Sequence, residues 1–220
     1  MSGVLFRWPP ASKLGSRVAK ERFYEQGTVS AAVREKFVSE IQRITWAHKL
    51  AEKTMNLPGN FSVPEIQIFQ IAVKGQDVSD HVLAAIDKAI SFPIIFEITR
   101  ELNGGQVRMT AAHKQIGAGR PKLSQYFSTK WQASNVVRIP LPASINLSEL
   151  YAALLEPLME ISVRPGEGMS EVADRVRIVN KLKREIAALE RKLKSERQLN
   201  RKMEIHRVIK TKQTELEQQR

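Results

Sequence analysis

"SAAVREKFVSEIQRITWAHKLAEK" (30–53) contains no Gly and no Pro. Val33, Phe37, Ile41, Ile44 and His48 follow one another at spacings of four, four, three and four. At 100° per residue these positions share one face, and Ser30 is a good N-cap, so the spacing predicts a helix from Ser30 to about Lys53. Trp46 would stand nearly opposite that stripe, with Leu50 one turn on and Arg43, Lys49 and Lys53 beside it. Either the Trp46 patch meets a partner or the helix is buried on both sides. His48, on the apolar stripe, reads as a hydrogen-bonded core residue rather than a catalyst. Taken as a helix, this stretch leaves four strands for the rest of the core.

Those strands lie downstream. "EIQIFQIAV" (65–73) has apolar residues on both faces, the pattern of an inner strand. Ser79 opens a helix carrying Val82, Leu83, Ile86 and Ile90. "PIIFEITREL" is a second strand, Asn103-Gly104-Gly105 a tight turn, and "QVRMTAAH" the returning third strand. A polar loop covers about 114–134, "NVVRIPLP" is a fourth strand, and Leu147–Met159 is a helix. The order predicts an α+β core with a small four-stranded mixed or antiparallel sheet and packed helices. Residues 1–27 read as an N-terminal arm, 28–163 as the core and 164–169 as a linker. Residues 170–220 read as a basic, coiled-coil-like extension, either one long helix or a helical hairpin.

That extension carries a heptad pattern. Val172, Val179, Ile186, Leu193 and Asn200 are seven apart, and Leu182, Leu189 and Met203 fall at the companion position, while Arg175 and Glu196 interrupt it. After Met203 the stripe changes side to Ile205, Ile209 and Leu216, so one straight helix cannot bury both lines against one partner. Val172, Val179, Leu182, Ile186, Leu189, Leu193, Met203 and Ile209 are the candidate partner-binding residues, whether the partner is another protein or a second copy. A polar helix of this length needs such burial to stay folded in water.

Charge points to the partner's chemistry. The chain of 220 residues carries a formal net charge of +12, and from Ser170 on 15 Lys and Arg stand against 8 Asp and Glu. An excess of this size favours polyanions or acidic protein surfaces. Between Glu101 and Glu149 there is no acid, while Arg108, Lys114, Arg120, Lys122, Lys130 and Arg138 are basic. Within that window Arg108, Lys114, Arg120, Lys122 and Lys130 would track phosphates, and Tyr126, Phe127 and Trp131 would stack on unpaired bases. "GAGR" (117–120) is a weak match to an anion nest.

Several chemistries find no support. There is no cysteine, which removes disulfides, thiolate zinc sites and a Cys nucleophile, and fits a cytoplasmic protein. His48, His81, His113 and His206 lack ligand spacing, so neither metal nor cofactor is expected. Neither a G-x-S-x-G elbow nor a Glu-x-Lys strand is present. No apolar run reaches a membrane span, and the first residues lack the apolar core of a secretory signal.

The stretches "RVAKERFYE" (17–25), "FVSEIQRITWAHKLAEKTMNL" (37–57), "EIQIFQIAV" (65–73), "AAIDKAISFPIIFEI" (84–98) and "SERQLNRKMEI" (195–205) together resemble a bacterial family, the domain of unknown function forty-three ninety-one. Its members are encoded near helicase and DNA-methyltransferase genes. The resemblance implies a cytoplasmic accessory subunit of a restriction-like, phage-defence system, and it carries no active-site residues. The resulting expectation is a non-enzymatic adaptor that docks a helicase or methyltransferase subunit through its C-terminal helix and contacts DNA through its basic loop. The alternatives are a nuclease or other enzyme with a non-obvious site, and a self-associating coiled-coil protein without a DNA role.

Overall fold

In the computed structural model, which describes residues 4–24, 29–102, 104–116, 121–159 and 161–219, the stretch 30–53 changes secondary structure halfway. Ser30 does cap a helix, its Oγ accepting from Val33 N–H, but that helix ends at Glu40 and Ile41 is already extended. The first compact unit, Met1–Met159, holds β1 (Lys13–Val18), α1 (Glu21–Tyr24), α2 (Ala31–Glu40), β2 (Ile41–Ala51), α3 (Glu52–Met55), β3 (Glu65–Val73), α4 (Asp80–Ala89), β4 (Ile94–Arg100), β5 (Gln106–Gln115), β6 (Lys122–Ser128), β7 (Gln132–Ala133) and α5 (Leu147–Leu155). The second, Glu160–Arg220, holds α6 (Met169–Ser195) and α7 (Leu199–Gln219).

The architecture is mixed α+β, but the sheet has seven strands rather than four, in the order β1-β2-β3-β4-β5-β6, with β7 also on β5. Among the described strand pairs of the sheet, β3 and β4 run parallel, joined through α4, and the others are antiparallel. Three regions account for the extra strands. The residues read as an N-terminal arm supply β1, the supposed helix 41–53 supplies β2, and the supposed loop 114–134 supplies the end of β5 with β6 and β7. "NVVRIPLP", read as a strand, forms only an isolated bridge between Ile139 and Phe6. Asn103 of the expected turn lies outside the described residues.

The helical appearance of β2 has a geometric cause. Its buried residues Ile41, Ile44, Ala47 and Leu50 are three apart. The pairing with β3 slips between Ile41 and Arg43 and again between Trp46 and His48. Each bulge adds a residue, so a period of two is stretched to nearly three and the second bulge exchanges the faces. Ile41 and Ile44 pair with Val73 and Ile71, whereas Leu50 pairs with Ile66 on the opposite face.

On one face of the sheet, Phe23 of α1, Phe37 of α2 and Val82, Leu83 and Ile86 of α4 pack with Ile41, Ile44, Phe69, Ile71, Ile94, Phe96 and Ile98. Phe23 stacks on Phe37 and meets Phe69 edge-on. On the other face α5 contacts β3 and β5. Asn146 caps α5, accepting from Glu149 N–H at 2.8 Å.

In the second unit the extension is two helices. Glu196 stops α6, and its carboxylate accepts from the N–H groups of Arg197 and Gln198. Ile186, with Leu189 and Leu193, packs against Ile205, Ile209 and Leu216. Arg175 is buried, yet it donates to Glu167 and to the carbonyls of Ser162 and Gln219. With Lys212 bonded to Glu185, these contacts make the two helices antiparallel. The two heptad interruptions therefore have specific uses, one as a satisfied internal cation and one as the helix stop.

Candidate functional site

The segment read as a basic loop spends most of its functional groups on the fold. Lys114 Nζ donates to the carbonyls of Asp87, Ile90 and Phe92 at 2.8, 2.9 and 2.7 Å and lies 2.7 Å from Asp87 Oδ1. It thereby caps the C-terminal end of α4, where free carbonyls and the helix dipole favour a cation. Tyr126 Oη donates to Asp87 Oδ2 at 2.7 Å, and Tyr151 Oη donates to the Ala112 carbonyl at 2.8 Å. Burial raises the Asp87 carboxyl and lowers the Lys114 ammonium from their ordinary values, and each partner's charge opposes its neighbour's shift. Burial likewise pushes the Tyr126 and Tyr151 phenols well up.

Lys114 is thus unavailable to a phosphate, and the predicted stacking groups are in part engaged within the fold. Phe127 is buried, Tyr126 packs on the α4 face of the sheet, and Trp131 lies beneath the guanidinium of Arg100, 4.0 Å from the ring centre. Arg108 also covers Trp131 and pairs with Asp77 at 2.7 Å. Arg138 is bound to buried Glu97, which also accepts from Trp8 Nε1 at 2.7 Å and Gln70 Nε2 at 3.3 Å. Lys122 and Lys130 are exposed, and Arg120 with the rest of "GAGR" lies outside the described residues. Of the basic and aromatic strip that the sequence suggested, Lys114 and Phe127 are buried, Tyr126 and Trp131 are half-buried, and Lys122 and Lys130 face outward.

The candidate partner-binding residues divide as well. Val172, Val179, Leu182, Ile186 and Ile209 are buried, Leu189 and Leu193 are half-buried in the α6–α7 seam, and Met203 is exposed. Leu199 and Val208 are also exposed, so α7 keeps apolar side chains outside that seam.

A different basic surface emerges at the carboxyl ends of β3 and β4. A cleft of about 440 Å³ there is lined by Arg17, Arg43, Thr99, Arg100, Glu101 and Ser134, among others. Pairing explains how residues so far apart in sequence meet. Arg17 sits opposite Thr45, Arg43 opposite Ala72, and Ala72 beside Thr99, all on one face of the sheet. Ala72 and Thr99 are short and leave the recess open. Gly105, at φ +90°, closes the β4–β5 turn, and a Cβ there would lie 3.0 Å from Ser134 Oγ. A second cavity of about 460 Å³ shares Gln42, Val73 and Glu101 and continues to Lys74, Gly75 and Gln76. The carboxyl ends of parallel strands are where open sheets commonly take ligands.

The cleft is cationic and partly unspent. Arg100 is held, with Nε donating to Gln106 Oε1 and Nη1 to the Gln76 carbonyl, both at 2.8 Å. Lys74 Nζ donates to the Val38 carbonyl at 2.8 Å. Arg17 and Arg43 are exposed, and among the described residues their side chains make no hydrogen bond or salt bridge, although the Arg17 charge is felt by Glu21 and Lys20. No local pattern distinguishes these two arginines from other surface cations, which is why the sequence reading passed over them as a site.

His48 donates to or accepts from Ser12 Oγ at 3.0 Å and packs near Trp8. No group of three or more potential metal ligands occurs among the described residues, and no described helix is long and apolar enough to cross a membrane. No curated protein and no solved structure matches the chain. One family model, Domain of unknown function (DUF4391), matches residues 6–216, and the chain belongs to that family.

Proposed function

We propose that this protein is a non-catalytic, cytoplasmic accessory subunit of a bacterial DNA-processing system of the restriction-like, phage-defence kind. Its sheet unit contacts DNA phosphates at the cleft beyond β3 and β4. Its helical unit holds a protein partner, a helicase or methyltransferase subunit, through outward residues such as Leu199, Met203 and Val208. The observation that carries the reading is the pair Arg17 and Arg43, both exposed and with no side-chain salt bridge among the described residues, on a cleft that also holds Arg100. Exposed guanidinium groups in a chain of charge +12 are suited to phosphate. Self-association through the heptad seam has less to recommend it, because Ile186, Leu189 and Leu193 pack on the chain's own second helix.

The test is an anisotropy titration of the full chain against labelled single-stranded and duplex DNA. Binding is expected at about 50 mM salt, with affinity falling at least about tenfold by about 200 mM as counterion release predicts. Failure of both forms to bind at the lower salt overturns the DNA role. For the adaptor role, the full chain should retain a partner from its native cell extract that a chain ending at Met159 does not.

A further inference from the structure

We infer that the groove at the ends of β3 and β4 takes single-stranded nucleic acid rather than duplex, with phosphates on Arg17 and Arg43 and base edges toward Glu101. The inference rests on the DNA-contacting reading and deepens it. Shape gives the first argument. The arginines line a recess with a low floor of Ala72 and Thr99, and the recess runs on into a second cavity of similar size through shared Gln42, Val73 and Glu101. A duplex is a stiff convex rod that meets such a hollow only at its rim. A single strand bends, and successive nucleotides can enter both cavities.

Charge gives the second argument. Glu101 is exposed and is the one acid among the described lining residues. A carboxylate there repels phosphate but accepts from exocyclic amino groups of bases. Arg17 and Arg43 line only the first cavity, whereas the polar side chains of the second are Gln42 and Glu101, shared with the first, Gln76, and Lys74, whose ammonium is held by the Val38 carbonyl. The backbone therefore runs along the arginines, and base edges turn toward the carboxylate and amides. No aromatic side chain lines either cavity among the described residues, and nearby Trp131 is already covered by Arg100 and Arg108. Binding is consequently led by phosphate contacts, with weak sequence preference.

The experiment titrates the full chain against a labelled oligonucleotide of about 12 nucleotides, a length within the range of single-strand binding sites. It is measured alone and annealed to its complement, with wild type, R17Q/R43Q and E101Q. The expected result is at least tenfold tighter binding of the single strand. R17Q/R43Q should weaken it and make the slope of log K against log salt shallower by about 1.4, two phosphate contacts' worth. E101Q, which removes a repulsive charge from an exposed side chain, should tighten the phosphate interaction. Equal or tighter duplex binding overturns the strand preference while leaving the DNA role standing. Single-strand binding with the same affinity and salt slope in R17Q/R43Q and E101Q overturns the groove as its location. Loss of both forms in wild type sinks this inference and the DNA role together.

Discussion

In the sheet unit, Asp87 and Lys114 face each other with side chains 1% and 0% exposed, whereas in the helical unit Glu185 and Lys212 meet with 36% and 27% of their side chains exposed. The first pair has surrendered its hydration and survives because three backbone carbonyls surround the ammonium and the Tyr126 hydroxyl donates to one carboxylate oxygen. The second remains largely hydrated, so its attraction is screened. Apolar packing follows the same division. The α4 face of the sheet joins residues from α1, α2, α4, β2, β3 and β4, while the hairpin's own buried cluster is Ile186, Ile205 and Ile209. Similar pairs of charges thus have different consequences, because the surroundings decide what is lost when one partner goes.

The largest expected effect breaks the buried pair. Lys114→Met leaves Asp87 without its cation and frees carbonyls at the end of α4, so urea denaturation should show a loss of about 3–5 kcal/mol. Adding Asp87→Asn should restore a substantial part, and a double variant as unstable as the single one would show that the cap, not the charge, dominates. Next comes Ile209→Ala in the hairpin, with an expected loss of about 2–3 kcal/mol. Hydrogen exchange should place that loss in α6 and α7, with amides of β3 and β4 still protected. Equal loosening of the sheet would contradict the division into two units.

A smaller effect depends on pH. The Arg175 guanidinium, by its hydrogen bonds, holds the Glu167 carboxyl down at about 2, against an ordinary 4.5. A carboxyl depressed by folding stabilises above its unfolded value and loses that contribution as pH falls toward its folded value. Exchange protection of α6 should therefore decline from about pH 5 toward pH 2, and Glu167→Gln should flatten that profile while costing about 1–2 kcal/mol at neutral pH. A wild-type profile already flat would remove the ion pair from the account. The smallest effect is Glu185→Gln, for which melting should hardly change, since its contact with Lys212 is solvated; a large drop would show that the hairpin depends on it.

Parts of this fold were plain in the amino-acid order. The strand 65–73 appears with the expected bounds because both its faces are apolar, and α4 and the β4–β5 hairpin follow from periodicity and glycines, although Ser79, at the N-cap of α4, makes no side-chain cap hydrogen bond. Two edge strands and β2 were not. Lys13–Val18 is exposed along nearly all its length, so no apolar alternation marks it, and it exists because β2 offers a pairing edge. In β6 only Phe127 is buried, which leaves an equally faint signal. In β2 the signal was strong but misleading, since two bulges gave a strand the spacing of a helix. Two of the candidate binding residues suffered a related fate: Lys114 and Arg108 looked like surface cations, but pair with Asp87 and Asp77.

The amino-acid order by itself determined the net positive charge, the mixed α+β class and the two apolar stripes of the extension that no single straight helix could satisfy. These are properties of composition and local spacing, which survive whatever the chain does at a distance. Only the tertiary structure decided that the two stripes meet each other, that Lys114 is a helix cap, and that Arg17 and Arg43 share one recess. Whether a charge is spent or free depends on groups brought to it by long-range strand pairing, and no local pattern carries that information.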